Sequence, residues 1–418
     1  MLLAALLVAA PLTVDEAVQR AIAHSYAVAA AHAREDAARA SASAQRSRML
    51  FGVHVSEEQQ HYDSPFVIAI VEGAPGVAVR NINTNTLAVG AQQPLLGLLH
   101  LNADREALSS RADAAAQSVS AAEREVKEQV QNGFLRLFEA RALRDTARSS
   151  QEQLAEQVKV AEVKLHAGAG TTADILRVQV ALANARQQEL QAVAQEEIAR
   201  AGLDVALGLS PGDPQEFAEP SALETDVAAP GELDAATEMK SAGELRPEVA
   251  AARLSSQAAH QHARAALWEM LPEINLEGGY AHVHGSLFAP ENSAFVGVLV
   301  NWNIFEWGAS ESARRAASSE AAAAEAELQA THDRVGLEVS ARISQVRAAA
   351  GAVELGKAAI ASAEEAFRVT QAGLKAGVNT TTDLLDAQSA LTQSRLNLVR
   401  ARYELAMARV SLRSAAGK

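Results

Sequence analysis

Leu165-His-Ala-Gly-Ala-Gly-Thr-Thr-Ala-Asp-Ile-Leu-Arg-Val-Gln179 returns later in the chain as Leu374-Lys-Ala-Gly-Val-Asn-Thr-Thr-Thr-Asp-Leu-Leu-Asp-Ala-Gln388. Gly377 follows Gly168 by 209 positions, and Asp383 follows Asp174 by the same 209. The alignment runs on without gaps through Leu182 and Leu391, Arg186 and Arg395, and Leu203 and Leu412. Upstream, Met49-Leu-Phe-Gly-Val53 pairs with Met270-Leu-Pro-Glu-Ile274 at an offset of 221. A long-period repeat of this kind means one architecture built twice. The difference in offset gives the first half 12 extra residues, which fall near 64–85, a stretch rich in Gly, Pro and Asn that predicts a longer loop.

Each half therefore reads helix, strand, loop, strand, long helix, tight turn, helix. In the first half, helices are expected over about 13–50, 98–165 and 172–208, with strands at 53–57 and 87–91, where apolar and polar residues alternate. In the second half, helices are expected over about 246–271, 308–373 and 381–415, with strands at 274–284 and 294–304. The repeats are 11–208 and 246–418. Between them, 209–245 is a segment rich in acid and proline. From Pro211 to Glu244 it carries nine acidic residues, one Lys and four prolines. It reads as a solvated linker or as a collar, and composition does not choose.

The composition suits long helices. Hydrophobic residues are 49% of the 418, yet aromatics are only 4%, and much of the apolar share is alanine. Alanine has the highest helix propensity and lets helices approach closely. A helix of about 65 residues would be about 100 Å long, too long for one small domain, so it needs a coiled coil or a barrel of helices. The last helix shows its seam: Leu384, Leu391, Leu398, Leu405 and Leu412 recur every seven residues, with Ala387, Ser394, Ala401 and Ala408 three places on. The earlier copy keeps Ile175, Leu182 and Leu203 but has Glu189 and Glu196 between them, so its packing must differ there.

Several functions are excluded or disfavoured. A net charge of −14 argues against nucleic acid, which is held by Lys and Arg. The absence of Cys removes disulfides, thiolate metal sites and lipid attachment through cysteine. No phosphate-cradling loop and no nucleophile–base set stands out, so no enzyme, cofactor or resident metal is expected. His282 and His284 share a strand face but lack a third ligand, and His260 and His262 point apart on a helix. Residues 1–10 read as a signal peptide with a small-residue cleavage site at Val8-Ala9-Ala10, although no Lys or Arg precedes the apolar run. That run is too short to span a bilayer, and no other reaches about 18 apolar residues. Four strands per chain cannot close a barrel, and lipid tolerates no open strand edge. A membrane role thus requires several chains; three would supply twelve strands. Trp302 and Trp307, near a strand end, suit an aromatic belt or ordinary packing.

The duplicated Leu-x-x-Gly-x-x-Thr-Thr-x-Asp-x-Leu-x-x-Gln-x-x-Leu block resembles that of TolC-like outer membrane efflux proteins. So do Arg246-Pro247-Glu248-Val249 entering a helix, Leu271-Pro272 before a strand, and Gln93-Pro94-Leu95-Leu96 and Trp302-Asn-Ile-Phe305 leaving strands. The resemblance spans about Leu12 to Leu412. It implies a mainly α fold with a membrane β-barrel part: a homotrimer with a 12-stranded barrel in outer-membrane lipid and a long helical tunnel in the periplasm. It implies a duct of a tripartite efflux or type I secretion system, working with a periplasmic adaptor and an inner-membrane pump of RND, ABC or MFS type. A non-porous periplasmic coiled coil is the alternative, but that would need no duplicated strand–loop–strand element.

The resemblance also assigns residues. Acids at the positions of Asp383 and Asp386 line the closed pore end in such proteins, so these two are the expected gate and cation-binding pair. Thr171-x-x-Asp174 and Thr380-x-x-Asp383 equally fit helix capping boxes, and a solvated face is the plain reading of Asp386. Arg177, standing where the second copy has Asp386, is expected to pair with Asp174 or with an acid of the other hairpin. The turns at Gly168, Thr171 and Thr172, and at Gly377, Thr380 and Thr381, are the expected adaptor contacts. The tyrosine and arginine latch of known members does not carry over, because Leu374 and Asn379 stand there.

Overall fold

A computed structural model describes residues 11–69, 75–220 and 234–418. The expected signal peptide, 1–10, lies outside the described residues, as do 221–233 of the acidic segment and 70–74 of the long loop. The chain divides into two compact units: Met1–Ala31, Ser118–Val249 and Thr331–Lys418 form the first, and His32–Gln117 and Ala250–Ala330 the second.

The helices are α1 (Val14–His24), α2 (Tyr26–Arg48), α3 (Leu98–His166), α4 (Thr172–Ala206), α5 (Ala235–Leu245), α6 (Pro247–Trp268), α7 (Ala309–Lys375) and α8 (Thr381–Ala415). The strands are β1 (Gly52–His61), β2 (Phe66–Ile68), β3 (Val77–Pro94), β4 (Glu273–Ser286) and β5 (Asn292–Asn301). The order helix, strands, long helix, helix thus occurs twice. The 69 residues of α3 and 67 of α7 match the lengths that the alanine-rich stretches predict.

The differences are local. The single helix expected over 13–50 is broken at Ser25, whose hydroxyl accepts the Val28 N–H at 3.4 Å and so starts α2 afresh. The loop expected over 64–85 is largely strand: β2 and the first half of β3 extend the hairpin, with a register shift between Arg80 and Asn85 where β3 meets β4. β5 stops at Asn301 rather than 304, and Trp307, at φ 53°, and Gly308, at φ 81°, turn the chain into α7. The acidic segment is not all solvated: α5 forms over 235–245, and Phe217 packs into the core.

In the first unit, one cluster gathers Ala17, Val18, Ala21 and Val28 from α1 and α2, Val130, Phe134 and Leu137 from α3, and Leu203 and Leu207 from the end of α4. Phe217 meets Phe134 edge to face at 5.4 Å. Leu12 and Phe217 form a parallel bridge that fastens 211–220 beside α1. On α8, Leu384, Leu391, Leu398 and Leu412 of the heptad are buried and Leu405 is half-buried. In the earlier copy, Glu196 takes a leucine's place by pairing with Arg141 and Arg144 of α3. The helix pair is thereby bridged by charge where the other copy uses a methyl-rich seam.

In the second unit the strands form one antiparallel sheet in the order β1-β3-β4-β5, with β2 beside β3. Its register gives it two different faces, because side chains alternate along each strand. One face carries a band of Val53, Val55, Leu87, Val89, Ile274, Leu276, Tyr280, Val296, Val298 and Val300, with Glu57, Gln59, Asn85, His282, His284 and Asn292 following on the same face toward the hairpin ends. Most of the apolar band is exposed. The other carries His54, Ser56, Glu58, Thr86, Gln92, Glu277 and Ser293, with Phe295 and Leu299 among them. The outer edges of β1 and β5 pair with no other strand among the described residues.

Candidate functional site

The duplicated block folds into two helix–turn–helix tips in the first unit. Each long helix ends on a glycine with positive φ, 72° at Gly168 and 76° at Gly377. There the Ala169 N–H reaches back to Lys164 O at 2.8 Å, and the Val378 N–H to Gly373 O at 2.9 Å, which satisfies end carbonyls as helix C-caps require. A side chain on either turn glycine would strain this conformation.

Each following helix then opens with a reciprocal capping box. The Thr171 hydroxyl accepts the Asp174 N–H at 3.2 Å, and an Asp174 oxygen accepts the Thr171 N–H at 3.1 Å and its hydroxyl at 2.6 Å. Thr380 and Asp383 repeat the arrangement at 3.2, 2.8 and 2.8 Å. Two otherwise unpartnered helix-end donors are satisfied at each tip, and the carboxylates lie where the helix dipole favours them.

These bonds hold both carboxyls below the ordinary aspartate range. For Asp174 the Thr171 hydroxyl contributes most, then the Thr171 N–H, with Thr381 and Arg177 adding to it against slight burial. For Asp383 the Thr380 N–H leads and its hydroxyl follows. A depressed folded-state pKa stabilises above the unfolded value of about 3.9 and is lost as pH falls through the folded one. The tip amides near 169–174 and 378–383 are therefore expected to lose hydrogen-exchange protection below about pH 4, after correction for intrinsic rates. Replacing Thr171 or Thr380 by alanine is expected to cost about 1 kcal/mol of local stability and to produce the same loss of protection at neutral pH.

The two tips meet. Asp174 lies beside Thr381, and a cavity of about 330 Å³ between them is lined by residues of both turns, among them Gln157, Lys164, Asp174, Asn379, Thr380 and Thr381. Arg177 approaches Asp174 at 3.8 Å along its own helix, one of the two pairings expected of it. Thr172 begins α4 and Thr381 begins α8. Asp386 is exposed one turn beyond Asp383, and Asp383 itself combines exposure with its role in the cap. Of the residues expected at the tips, the structure brings Asp174 of one repeat to Gly377, Thr380 and Thr381 of the other, while Gly168, Thr171, Thr172, Arg177, Asp383 and Asp386 lie on their own tips outside that shared lining.

Sequence reasoning missed three contributors. Asn379 folds back over Gly373 and donates to Thr370 O at 3.3 Å, closing the second tip from inside. The departure of Asn379 from the first copy's Gly170 was the available signal. Behind the tips, α3 and α8 share a polar seam: Gln388 donates to Gln153 at 2.7 Å, and buried Ser150 and Thr392 are 3.1 Å apart. Lys164 lines the cavity with no motif to mark it.

Comparison with known proteins places this geometry. A family model described as outer membrane efflux protein matches residues 17–209 and 239–418. The chain is 28% identical over 212 residues to the outer membrane protein TolC of Vibrio cholerae serotype O1, covering 49% of this chain and 48% of that protein. It is 27% identical over 286 residues to the outer membrane efflux protein BepC of Brucella suis biovar 1, covering 66% of this chain and 60% of that one. The matched stretch is thus about half of the first relative's length and three-fifths of the second's. The crystal structure of the outer membrane protein VceC of Vibrio cholerae superposes with a TM-score of 0.81 at 18% identity, over 97% of this chain and 96% of that one. At that identity the likeness speaks for the fold.

Proposed function

From the premise that this chain belongs to the outer membrane efflux protein family, we propose that three copies assemble into an outer-membrane duct. The observation that carries the reading is the two-faced sheet with two open edges. A sheet with an apolar band on one face and a mainly polar opposite face is what a barrel between lipid and a water-filled lumen demands. Its open edges would be intolerable in lipid unless β1 of one copy pairs with β5 of the next. Val53, Val55, Leu87, Val89, Leu276 and Val298 then meet lipid, and His54, Glu58, Gln92 and Glu277 line the lumen. Exposed Trp302, Phe305 and Trp307 just past β5 suit the lipid–water boundary.

The helices of the repeats 11–208 and 246–418 supply the periplasmic tunnel, and 209–245 the segment around its middle. The tips form its far end. There Asp383 and Asp386 of three copies would ring a narrow axis, bind cations and repel one another, so that the closed end yields when a partner pulls the tips apart. The turns at Gly168, Thr171, Thr172, Gly377, Thr380 and Thr381 are the contact for a periplasmic adaptor, which joins the duct to an inner-membrane pump of RND, ABC or MFS type. Transport through such a duct needs no chemistry from the chain, so it is read as a channel and not an enzyme. A non-porous coiled coil would leave the exposed apolar face unexplained.

The gate is tested by single-channel block. Hexaamminecobalt(III) added on the periplasmic side is expected to close the wild-type channel. The Asp383→Asn/Asp386→Asn double variant is expected to need about tenfold more of it, or about 1.4 kcal/mol. An unchanged block leaves the duct but removes these two acids from its gate.

A further inference from the structure

The polar face of the sheet carries an aromatic plate. The register aligns His54 with Gly90, Gly90 with Gly279, and Gly279 with Phe295, one row across all four long strands. Both rings lean inward over the glycines. A methyl group added at Gly90 would collide with the His54 ring, and one at Gly279 would lie 3.0 Å from Phe295 Cε1 and 2.9 Å from Val89 O. Gly90 and Gly279 are thus the backbone floor on which two rings lie side by side.

Apart from Gln92 and Glu277, the residues flanking the plate are small. The next row on one side is Ser56, Ala88, Ala281 and Ser293, and on the other Gly52, Gln92, Glu277 and Gly297. The rings therefore stand out from a low surface, and Phe295 is 57% exposed. Glu277 sits two residues along β4 from Gly279, about 7 Å away on the same face. On this face β1 contributes Glu58, β4 contributes Glu273 and Glu277, and neither β3 from Asn83 onward nor β5 contributes any charge. No Lys or Arg stands on it along β1, β4, β5 or β3 from Asn83 onward; Arg80 of β3 lies beyond the register shift, over the Tyr62 ring.

We propose that this row sets the cargo preference of the lumen, favouring organic cations with a flat or bulky apolar body. An aromatic face attracts a cation and its apolar body, and Glu277 is in reach of the charge. An anion of the same shape meets the same rings but the opposite field. The inference rests on the duct reading, which turns this face to the lumen. Merely covering glycines would also be served by any bulky side chain, so the charge of the cargo decides between the two roles.

The test compares tetraphenylphosphonium with tetraphenylborate, equal in shape and opposite in charge, as blockers of the assembled full-length channel in planar bilayers. Tetraphenylphosphonium is expected to block at least about tenfold more tightly than tetraphenylborate. Phe295→Leu, which still covers Gly279, and Glu277→Gln, which does not touch the plate, are each expected to weaken cation block about three- to tenfold. Equal block by the two ions overturns the proposal. So does cation block that both variants leave unmoved, or that only Asp383→Asn/Asp386→Asn relieves. If Phe295→Leu does not assemble, Glu277→Gln alone carries the decision. A channel that never conducts instead defeats the duct reading on which this rests.

Discussion

Val298→Arg is expected to abolish the SDS-resistant oligomer, whereas Gln92→Arg at nearly the same height leaves it intact. Val298 pairs with Leu276 in the middle of the apolar face, between Val296 and Val300, and is 60% exposed. If that face meets lipid, a guanidinium there costs about 2–4 kcal/mol per copy near the bilayer centre. The cost recurs in every copy of a symmetric ring, and a sheet that cannot insert leaves its edges unpaired. Gln92 lies on the opposite face beside Glu277, where an arginine meets water and a carboxylate. The check is oligomer mobility in unheated SDS gels together with outer-membrane fractionation. Equal tolerance of both substitutions would mean that the apolar face is not a lipid face.

Arg246→Ala is expected to lower the melting temperature more than any surface substitution, through a loss of about 3 kcal/mol. The side chain is 9% exposed. It donates to Glu248 at 3.1 and 3.2 Å, to Glu338 of α7 at 2.6 Å and to Ala415 O at the end of α8 at 3.3 Å. Arg124 of α3 also pairs with Glu248. One guanidinium thus joins the start of α6 to α7 and α8 within the first unit. Removing it takes from Glu338 its partner and leaves Glu248 with Arg124 alone; breaking buried pairs costs about 3–5 kcal/mol, of which the lower end applies at this exposure. Burial pushes the Glu248 carboxyl up, but hydrogen bonds from Arg246 and the nearby Arg124 charge outweigh it and hold it below the usual range. The network therefore stabilises at neutral pH and weakens as pH falls through that lowered value. Arg246→Lys should restore only part of the loss, since an ammonium lacks the planar fork that serves three acceptors at once. Thermal unfolding of the three proteins followed by circular dichroism checks this. Full restoration by lysine would show that charge alone suffices.

Much of the architecture was legible because its signals are long. The duplicated block fixed two tips, and alanine-rich stretches fixed α3 and α7 to within two residues of their ends. What escaped depends on single residues or on contacts across the repeat. One hydroxyl, that of Ser25, splits the first helix, and no periodicity announces it. Val77-Ala-Val-Arg-Asn-Ile-Asn reads as loop by its asparagines, yet pairs as strand because β2 and β4 are there to meet it. Glu189 and Glu196 marked a break in the heptad, but only the fold reveals Arg141 and Arg144 opposite Glu196. At the tips the capping boxes could be read directly. The meeting of Asp174 with Thr381 arises from α4 starting beside α8, and the buried Ser150–Thr392 pair behind it from α3 lying against α8, each more than two hundred residues away in the chain.

The central claim is that copies of this chain enclose a pore. Single-channel recording of the purified, detergent-extracted protein in planar bilayers tests it most directly. An SDS-resistant trimer is expected to give discrete conductance steps, small while the tips stay closed and blocked by multivalent cations. A folded, membrane-extracted oligomer that inserts and yields no conductance step would contradict it and leave the non-porous coiled coil as the better description.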